Sequence, residues 1–383
     1  MSAAFASPDV TDPRPAYLPP VPRFHTLEVA GIERVTPEAV AVRFAVPREL
    51  RVDYSFIAGQ FLTLKGSFGE GEGAEELRRS YSICCGQADY EQRGELKVGI
   101  KAIPGGRFSN WANQHLKPGQ RIEVMTPDGR FHCPLDAAHA KHYVAFAGGS
   151  GITPVLSLIA TTLAHEPGSR YTLIYGNRNL ASIMFAEQLE ELKNRYLGRL
   201  ALYHVISDEP QEVELFNGLL DQAKCAQFLE TLVRVTSIDE AFICGPGPMM
   251  DAAEAALLAA GLARDRLHIE RFGTPLPQAG AKPKLIEGAP AAQVDIIAGG
   301  KTRRIAVPYD GAGVLDTALA AGMDLPYACK GGVCCTCRAR VLEGEVRMDR
   351  NYTLEEHEMK QGFVLTCQSH PVSARVVVSY DER

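Results

Sequence analysis

At 383 residues, with 46% of them apolar, the chain exceeds what one hydrophobic core usually holds and predicts two or three globular domains. A formal net charge of -6 leaves no basic footprint for nucleic acid, and no run of about 18 apolar residues offers a membrane span. Ten cysteines, with no basic segment joined to an apolar one at the start, predict a cytoplasmic protein whose thiols are reduced or bind metal, not a disulfide framework.

Residues 1–22, rich in Ala, Pro and small polar residues, read as a flexible leader. From 23 to 136, short alternating segments such as Ala41–Val46 and Glu95–Ile100 are separated by Gly and Pro, which predicts an antiparallel β-barrel. Over 137–274 strand-like runs (143–147, 171–175, 200–206, 240–244, 267–271) alternate with segments of helical period, one of them marked by Phe185, Leu189, Leu192 and Tyr196. Strand then helix, four times over and closed by a strand, predicts an α/β domain with a parallel sheet and right-handed crossovers, a nucleotide-binding architecture. Residues 275–290 hold four prolines and little periodicity, as a linker would. A separate small domain follows over 291–383. It opens with two strand-like runs joined at Gly299-Gly300 and a helix over Val314–Ala321. The whole is a multidomain α+β chain.

The loop after that helix carries the strongest signal. Cys329-x4-Cys334-x2-Cys337, with Cys367 after 29 further residues, is the plant-type spacing for a [2Fe–2S] cluster, whose two ferric ions and two sulfides four thiolates would balance. A structural zinc site more often shows two short C-x2-C pairs, and only Cys334 and Cys337 form one. Cys335 falls off the pattern and is a bystander. Cys367-Gln-Ser-His370 supplies only half of a Rieske set, so His370 is expected at the surface.

In the barrel region, Arg79-Ser80-Tyr81-Ser82 offers chemistry that fits a flavin: Arg for pyrophosphate, Tyr to pack on the isoalloxazine, Ser to hydrogen-bond near its reactive nitrogen. Lys101, which follows the strand-like run 95–100, belongs to the same set. Gly105-Gly106-Arg107-Phe108-Ser109 precedes a short helix whose N–H groups suit phosphate, with Arg107 and Ser109 as side-chain donors. Adjacent Cys84 and Cys85 point to opposite faces of a strand and read as packing residues.

In the α/β region, the stretch Gly148-Gly149-Ser150-Gly151-Ile152-Thr153-Pro154 between the first strand and first helix allows a tight turn and close backbone approach to a pyrophosphate. Pro154 suits the first helical turn. The fourth strand ends at Cys244-Gly245-Pro246-Gly247-Pro248-Met249, at the carboxyl edge where such sheets bind ligands. There Cys244 borders a nicotinamide or is simply a buried thiol, and Phe272 covers a flavin ring or fills the core. Arg178 after the second strand, with no acidic residue beside it, favours a 2′-phosphate and so NADPH over NADH; Ser207 is followed by Asp208 and Glu209, which would repel one.

Together these motifs resemble the ferredoxin–NADP reductase superfamily, in the branch with a C-terminal plant-type ferredoxin domain. Longer strings such as Glu76–Arg79, Ile174–Arg178, Asp239–Pro246 and Asp324–Cys334 are similar to the reductase subunits of phenylacetyl-CoA epoxidases. The resemblance implies FAD in the barrel, NADPH in the α/β domain, a β-grasp [2Fe–2S] domain, and electron delivery to an oxygenase component, there a di-iron one. It also implies flavin contacts at Arg79, Tyr81 and Ser82, Thr153 at the flavin edge and Cys244 at the nicotinamide, with Tyr81, Ser82 and Cys244 as the catalytic set. Asp208 stands where plant-type members carry Arg, which weakens NADPH. The chain has no paired Glu-x-x-His motifs of its own, so oxygen chemistry belongs to a partner. The alternatives are another ring- or steroid-hydroxylating oxygenase as partner, or a redox-sensing module. Glu343, Glu345, Asp349, Glu355, Glu356 and Glu358 either select the partner or form an ordinary solvated face.

Overall fold

The computed structural model describes residues 22–68, 75–272 and 290–382. The expected leader, apart from Pro22, and the expected linker, apart from Pro290, lie outside the described residues.

Six strands, β1 (Phe24–Thr36), β2 (Ala39–Ala45), β3 (Phe61–Phe68), β4 (Glu75–Ser82), β5 (Glu95–Lys101) and β6 (Arg121–Met125), form an antiparallel sheet in the order β4-β3-β6-β1-β2-β5. Two short helices, α1 (Gln87–Arg93) and α2 (Arg107–Gln114), cover it. The period-two alternation of β2 has a consequence beyond the barrel. Val40, Val42 and Phe44 fill the barrel core, while Ala39 and Ala41 on the opposite face join the core of the next domain. Cys84 and Cys85 divide in the same way, Cys84 toward the neighbour and Cys85 into the barrel, as their opposite facing predicts. Small residues on the shared wall let the two domains pack closely.

The second unit runs β7 (His142–Gly148), α3 (Ile152–His165), β8 (Arg170–Asn177), α4 (Ala186–Arg195), β9 (Leu200–Ile206), α5 (Gln222–Thr231), β10 (Glu240–Cys244), α6 (Gly247–Ala259) and β11 (Leu267–Glu270). Its five strands are all parallel, in the order β11-β10-β7-β8-β9. Tyr143, Ala145 and Ala147 of β7 face α3, α4 and the barrel, whereas Val144 and Phe146 face α5 and α6. Both faces are covered, so β7 is buried throughout, as parallel sheets require.

The third unit contains β12 (Ala291–Ala298), β13 (Lys301–Pro308), α7 (Val314–Ala320), β14 (Arg338–Glu343), β15 (Val346–Met348), α8 (Glu356–Lys360), β16 (Phe363–Leu365), β17 (Ser369–Pro371) and β18 (Arg375–Ser379). Its mixed sheet has the order β13-β12-β18-β14-β16, with β12 and β18 parallel and α7 packed into its core, the β-grasp layout the cysteine domain was expected to have. Gly299 and Gly300 both take positive φ in the two-residue turn of the β12–β13 hairpin. Two expectations fail here. His370 is buried and bonds Asp349 at 3.0 Å, because β17, paired with β15, packs against α7 and β13. Glu358 is also buried, drawn in by Arg130 and Arg338.

A buried acid pins the start of the parallel sheet. Glu166, fully buried, accepts hydrogen bonds from Asp136 N (3.0 Å), Tyr143 Oη (2.8 Å) and Ser169 Oγ (2.7 Å), and contacts His139 Nδ1 at 2.9 Å. Burial pushes this carboxyl upward, but the hydrogen bonds outweigh it and hold it below its ordinary value. Its contribution is therefore complete above the usual Glu range and fades as pH falls through the lowered value. Glu166→Gln should cost roughly 1–3 kcal/mol. Urea unfolding of this domain should show that full difference at pH 7 and a shrinking one below about pH 4.

Candidate functional site

The carboxyl edge of the parallel sheet meets the open side of the barrel, and the sequence-predicted residues converge there. Arg79, Ser80, Tyr81 and Ser82 lie along β4, paired with Leu64, Thr63, Leu62 and Phe61 of β3. Ser80 Oγ bonds Thr63 Oγ1 at 3.1 Å, and Arg79 Nη1 donates to the carbonyl of Arg78 at 2.7 Å. The Tyr81 ring leans on Phe108, centroids 5.8 Å apart, and burial raises its hydroxyl far above the ordinary value. Phe108 itself sits in the barrel core with Phe68 and Trp111, so only its backbone is available to a ligand.

Gly106 caps α2 without any side-chain cap, and the position beside Gly105, at φ +73°, is open. The first turn of α2 thus offers N–H groups to an anion. Ser109 Oγ is turned inward to the carbonyl of Gly106 (3.3 Å), while Arg107 is held by Glu75.

Across the interface, Gly149 to Gly151 form a single 3-10 turn that leads into α3, with Pro154 in its first turn. A side chain at Gly151 would meet the carbonyl of Cys244 at 2.0 Å, and one at Gly148 would meet Met249 and Pro246 at 2.7 Å. These glycines are what lets the β7 and β10 loops touch. Thr153 donates to Ser150 O at 3.0 Å and faces Gly99 of β5. Lys101 Nζ approaches Gly149 and stands 3.7 Å from Glu38, which also binds Arg178 Nη2 at 2.9 Å. Ser207 Oγ donates to Asp208 at 2.6 Å, and Asp208 N reaches the carbonyl of Arg178 at 2.7 Å, so the β8 and β9 loops are tied together. Glu209 is taken up by Leu180 N at 3.0 Å.

At the centre stands a residue that sequence reasoning passed over. Ser82 Oγ donates to Glu270 Oε2 at 3.1 Å, and Glu270 pairs in register with Cys244. Burial raises the Glu270 carboxyl to about 8 despite the serine bond, and burial followed by the Glu270 charge pushes the Cys244 thiol well up. A lone acid closing an apolar strand, Leu-His-Ile-Glu, was the available signal. Phe272, two residues on, is half exposed.

In the third unit the four predicted cysteines come together. The thiols of Cys329 and Cys334 lie beside each other, as do those of Cys337 and Cys367. Gly331 N donates to Cys329 Sγ at 3.3 Å, and Lys330 and Gly332 take positive φ to wrap the loop. Four converging thiols with backbone N–H groups aimed at them fit an iron–sulfur cluster. Cys335 also has positive φ but faces Arg130 and Thr353. A second group of ligand-type side chains, Cys133, Glu240 and His268, is already engaged: Lys141 (2.9 Å) and His268 (3.0 Å) both bind Glu240.

A barrel of this kind, a glycine turn at the edge of a parallel sheet and a four-thiol loop together define a flavin- and pyridine-nucleotide-dependent iron–sulfur oxidoreductase. Sequence profiles agree: an oxidoreductase FAD-binding domain matches residues 26–133, an oxidoreductase NAD-binding domain 146–255, and a 2Fe-2S iron-sulfur cluster binding domain 296–372. The chain is 45% identical over 360 residues (94% of this chain, 98% of the relative) to a subunit of the 1,2-phenylacetyl-CoA epoxidase of Escherichia coli (strain K12). It is 33% identical over 359 residues (92% and 96%) to the ferredoxin reductase component of the 3-ketosteroid-9-alpha-monooxygenase of Rhodococcus rhodochrous. The solved phthalate dioxygenase reductase shares its fold, with TM-score 0.54 and 23% identity over 93% of this chain and 98% of the other. The chain belongs to the ferredoxin–NADP reductase superfamily, in the branch that carries a C-terminal plant-type ferredoxin domain. Among the described residues no helix is long and apolar enough to cross a membrane.

The raised Glu270 carboxyl generates a pH prediction. The folded chain keeps a proton there that the unfolded chain gives up above about pH 4.5, so stability should decline between about pH 4.5 and 8 and then level off. Glu270→Gln removes that slope. Its thermal midpoint should gain on that of the unsubstituted protein as pH rises from 5 to 9, and parallel midpoints would show that the carboxyl is not raised.

Proposed function

We infer that this chain draws electrons from NADPH and delivers them singly to the oxygenase component of a phenylacetyl-CoA epoxidase. The observation that carries this reading is the near full-length, 45% identical match to a component of that epoxidase, and the four-thiol loop adds a single-electron outlet. FAD, when bound, supplies the conversion of an electron pair into single electrons, and the [2Fe–2S] cluster carries them outward.

The protein's own groups divide the task. Arg79, Ser80 and the uncapped turn at Gly105, Gly106, Arg107, Phe108 and Ser109 hold the flavin's phosphates, with Lys101 and Thr153 at its edge and Phe272 over its ring. Tyr81 packs on the isoalloxazine, and Ser82 hydrogen-bonds beside its reactive nitrogen. Gly149, Gly151, Pro154, Gly245, Pro246 and Met249 shape the pyrophosphate and nicotinamide seat, which Cys244 borders. Cys329, Cys334, Cys337 and Cys367 ligate the cluster. The domains run over 23–136, 137–274 and 291–383, with 1–22 as leader, 275–290 as linker, and the cytoplasm as location.

Choice of NADPH over NADH rests on Arg178 and Ser207. A 2′-phosphate has to draw Arg178 from Glu38 and Ser207 from Asp208, both surface contacts of small worth. Arg178→Ala should raise KM for NADPH about tenfold and leave that for NADH nearly unchanged; equal effects on both would remove the 2′-phosphate role.

The reading as a whole is tested by reconstitution with the epoxidase's oxygenase component. NADPH oxidation should become dependent on phenylacetyl-CoA and yield its epoxide. Cys367→Ser should abolish that product while NADPH still bleaches the flavin. If the ketosteroid oxygenase accepts electrons as well and the epoxidase does not, the partner assignment is wrong.

A further inference from the structure

Two arginines of the barrel reach across to the third domain, one to Tyr327 just before the cysteine loop and one to Glu358 of α8. Arg78 precedes the flavin-motif arginine in β4 and is only 8% exposed. Its Nε bonds Glu76 Oε1 at 2.8 Å, and its guanidinium lies between the ring of Phe24, 4.9 Å from the centroid, and that of Tyr327, at 4.0 Å. Tyr327 stands two residues before Cys329. Lys330 Nζ is 4.7 Å from the same ring, and Asp324 lies 4.0 Å from Arg78 Nη2.

Arg130, in the segment after β6, makes the second contact. Its Nη1 bonds Glu358 Oε1 at 2.5 Å, and Arg338 Nη2 reaches the same oxygen at 3.0 Å. Glu358 is fixed further by a capping box with Glu355 at the start of α8, and Arg130 faces Cys335, the neighbour of Cys334. The two contacts differ in kind. A desolvated guanidinium over a ring holds more firmly than a pair whose arginine side chain is 44% exposed and open to screening by salt.

We propose that Arg78 and Arg130 are positioning residues that clamp the cysteine loop against the flavin domain, with Tyr327 as the loop's gripping point. This rests on the reading that electrons pass between those two domains. Neither arginine touches the predicted flavin, nicotinamide or cluster ligands through its charged end. Both fix how near the loop is held, and transfer between held groups is sensitive to misplacement of the order of 1 Å.

The test uses anaerobic stopped-flow spectroscopy and small-angle X-ray scattering on holoprotein carrying Arg78→Gln, Tyr327→Leu, both together, and Arg130→Gln. NADPH should bleach the flavin within twofold of the unsubstituted rate in each. Cluster reduction should slow at least tenfold in Arg78→Gln and in Tyr327→Leu, and no further in the double variant, because one contact is lost in all three. Arg130→Gln should slow it less. The radius of gyration should rise in the slowed variants while cluster absorbance and potential stay unchanged, and Arg78→Lys should restore part of the rate.

Unchanged scattering and an unchanged cluster rate overturn the clamp, as do losses that simply multiply in the double variant. If Arg78→Gln does not fold, Tyr327→Leu, in the other domain, decides alone. If NADPH fails to bleach the flavin of the unsubstituted protein, the proposed function falls, and scattering still judges the clamp.

Discussion

The molecule depends on a wall shared by two domains. β2 presents Val40, Val42 and Phe44 to the barrel and Ala39 and Ala41 to the core beneath the parallel sheet, so neither domain buries its apolar face without the other. That wall fixes where the carboxyl edge of the sheet arrives, and it arrives at β4. The bond from Ser82 to Glu270 marks the meeting point. Partial burial at this meeting point raises the Glu270 carboxyl to about 8, and Cys244, fully buried, stays a neutral thiol. A seat with no fixed negative charge at its centre suits a nicotinamide ring approaching a flavin.

Close approach of the loops around that seat is a matter of missing atoms. Gly151 lies against the carbonyl of Cys244 and Gly148 against Met249 and Pro246, at distances no side chain tolerates. The third domain follows a different logic. Its cysteine loop is wound by backbone in the left-handed region at Lys330, Gly332 and Cys335, conformations that four thiolate bonds to a cluster would offset. The barrel reaches this loop through side chains, not through a shared core, which leaves the domain easier to release than the parallel-sheet domain is.

Much of this was legible in the sequence because it is written in local spacing. The cysteine interval, the glycine turn after the first parallel strand, the Gly299-Gly300 hairpin and the opposite facing of Cys84 and Cys85 each need only neighbouring residues. What escaped was tertiary. Glu270 gains its role from Ser82, 188 positions away along the chain, and nothing local to it marks that encounter. Glu358 reads as one more surface acid of a short helix until Arg130 reaches it from another domain. His370 reads as exposed because a strand of three residues gives no periodicity from which to infer a buried face. Arg107, Arg178 and Ser207 were found as donors, but their pairing with Glu75, Glu38 and Asp208 follows from folding alone.

The claim that one chain links a pyridine nucleotide to a single-electron outlet is tested most directly by anaerobic titration of the holoprotein with NADPH under electron paramagnetic resonance. The account predicts a reduced [2Fe–2S] signal that grows as the flavin absorbance bleaches, and its absence in Cys329→Ser. A flavin that bleaches fully while the unsubstituted protein never develops the cluster signal would contradict it.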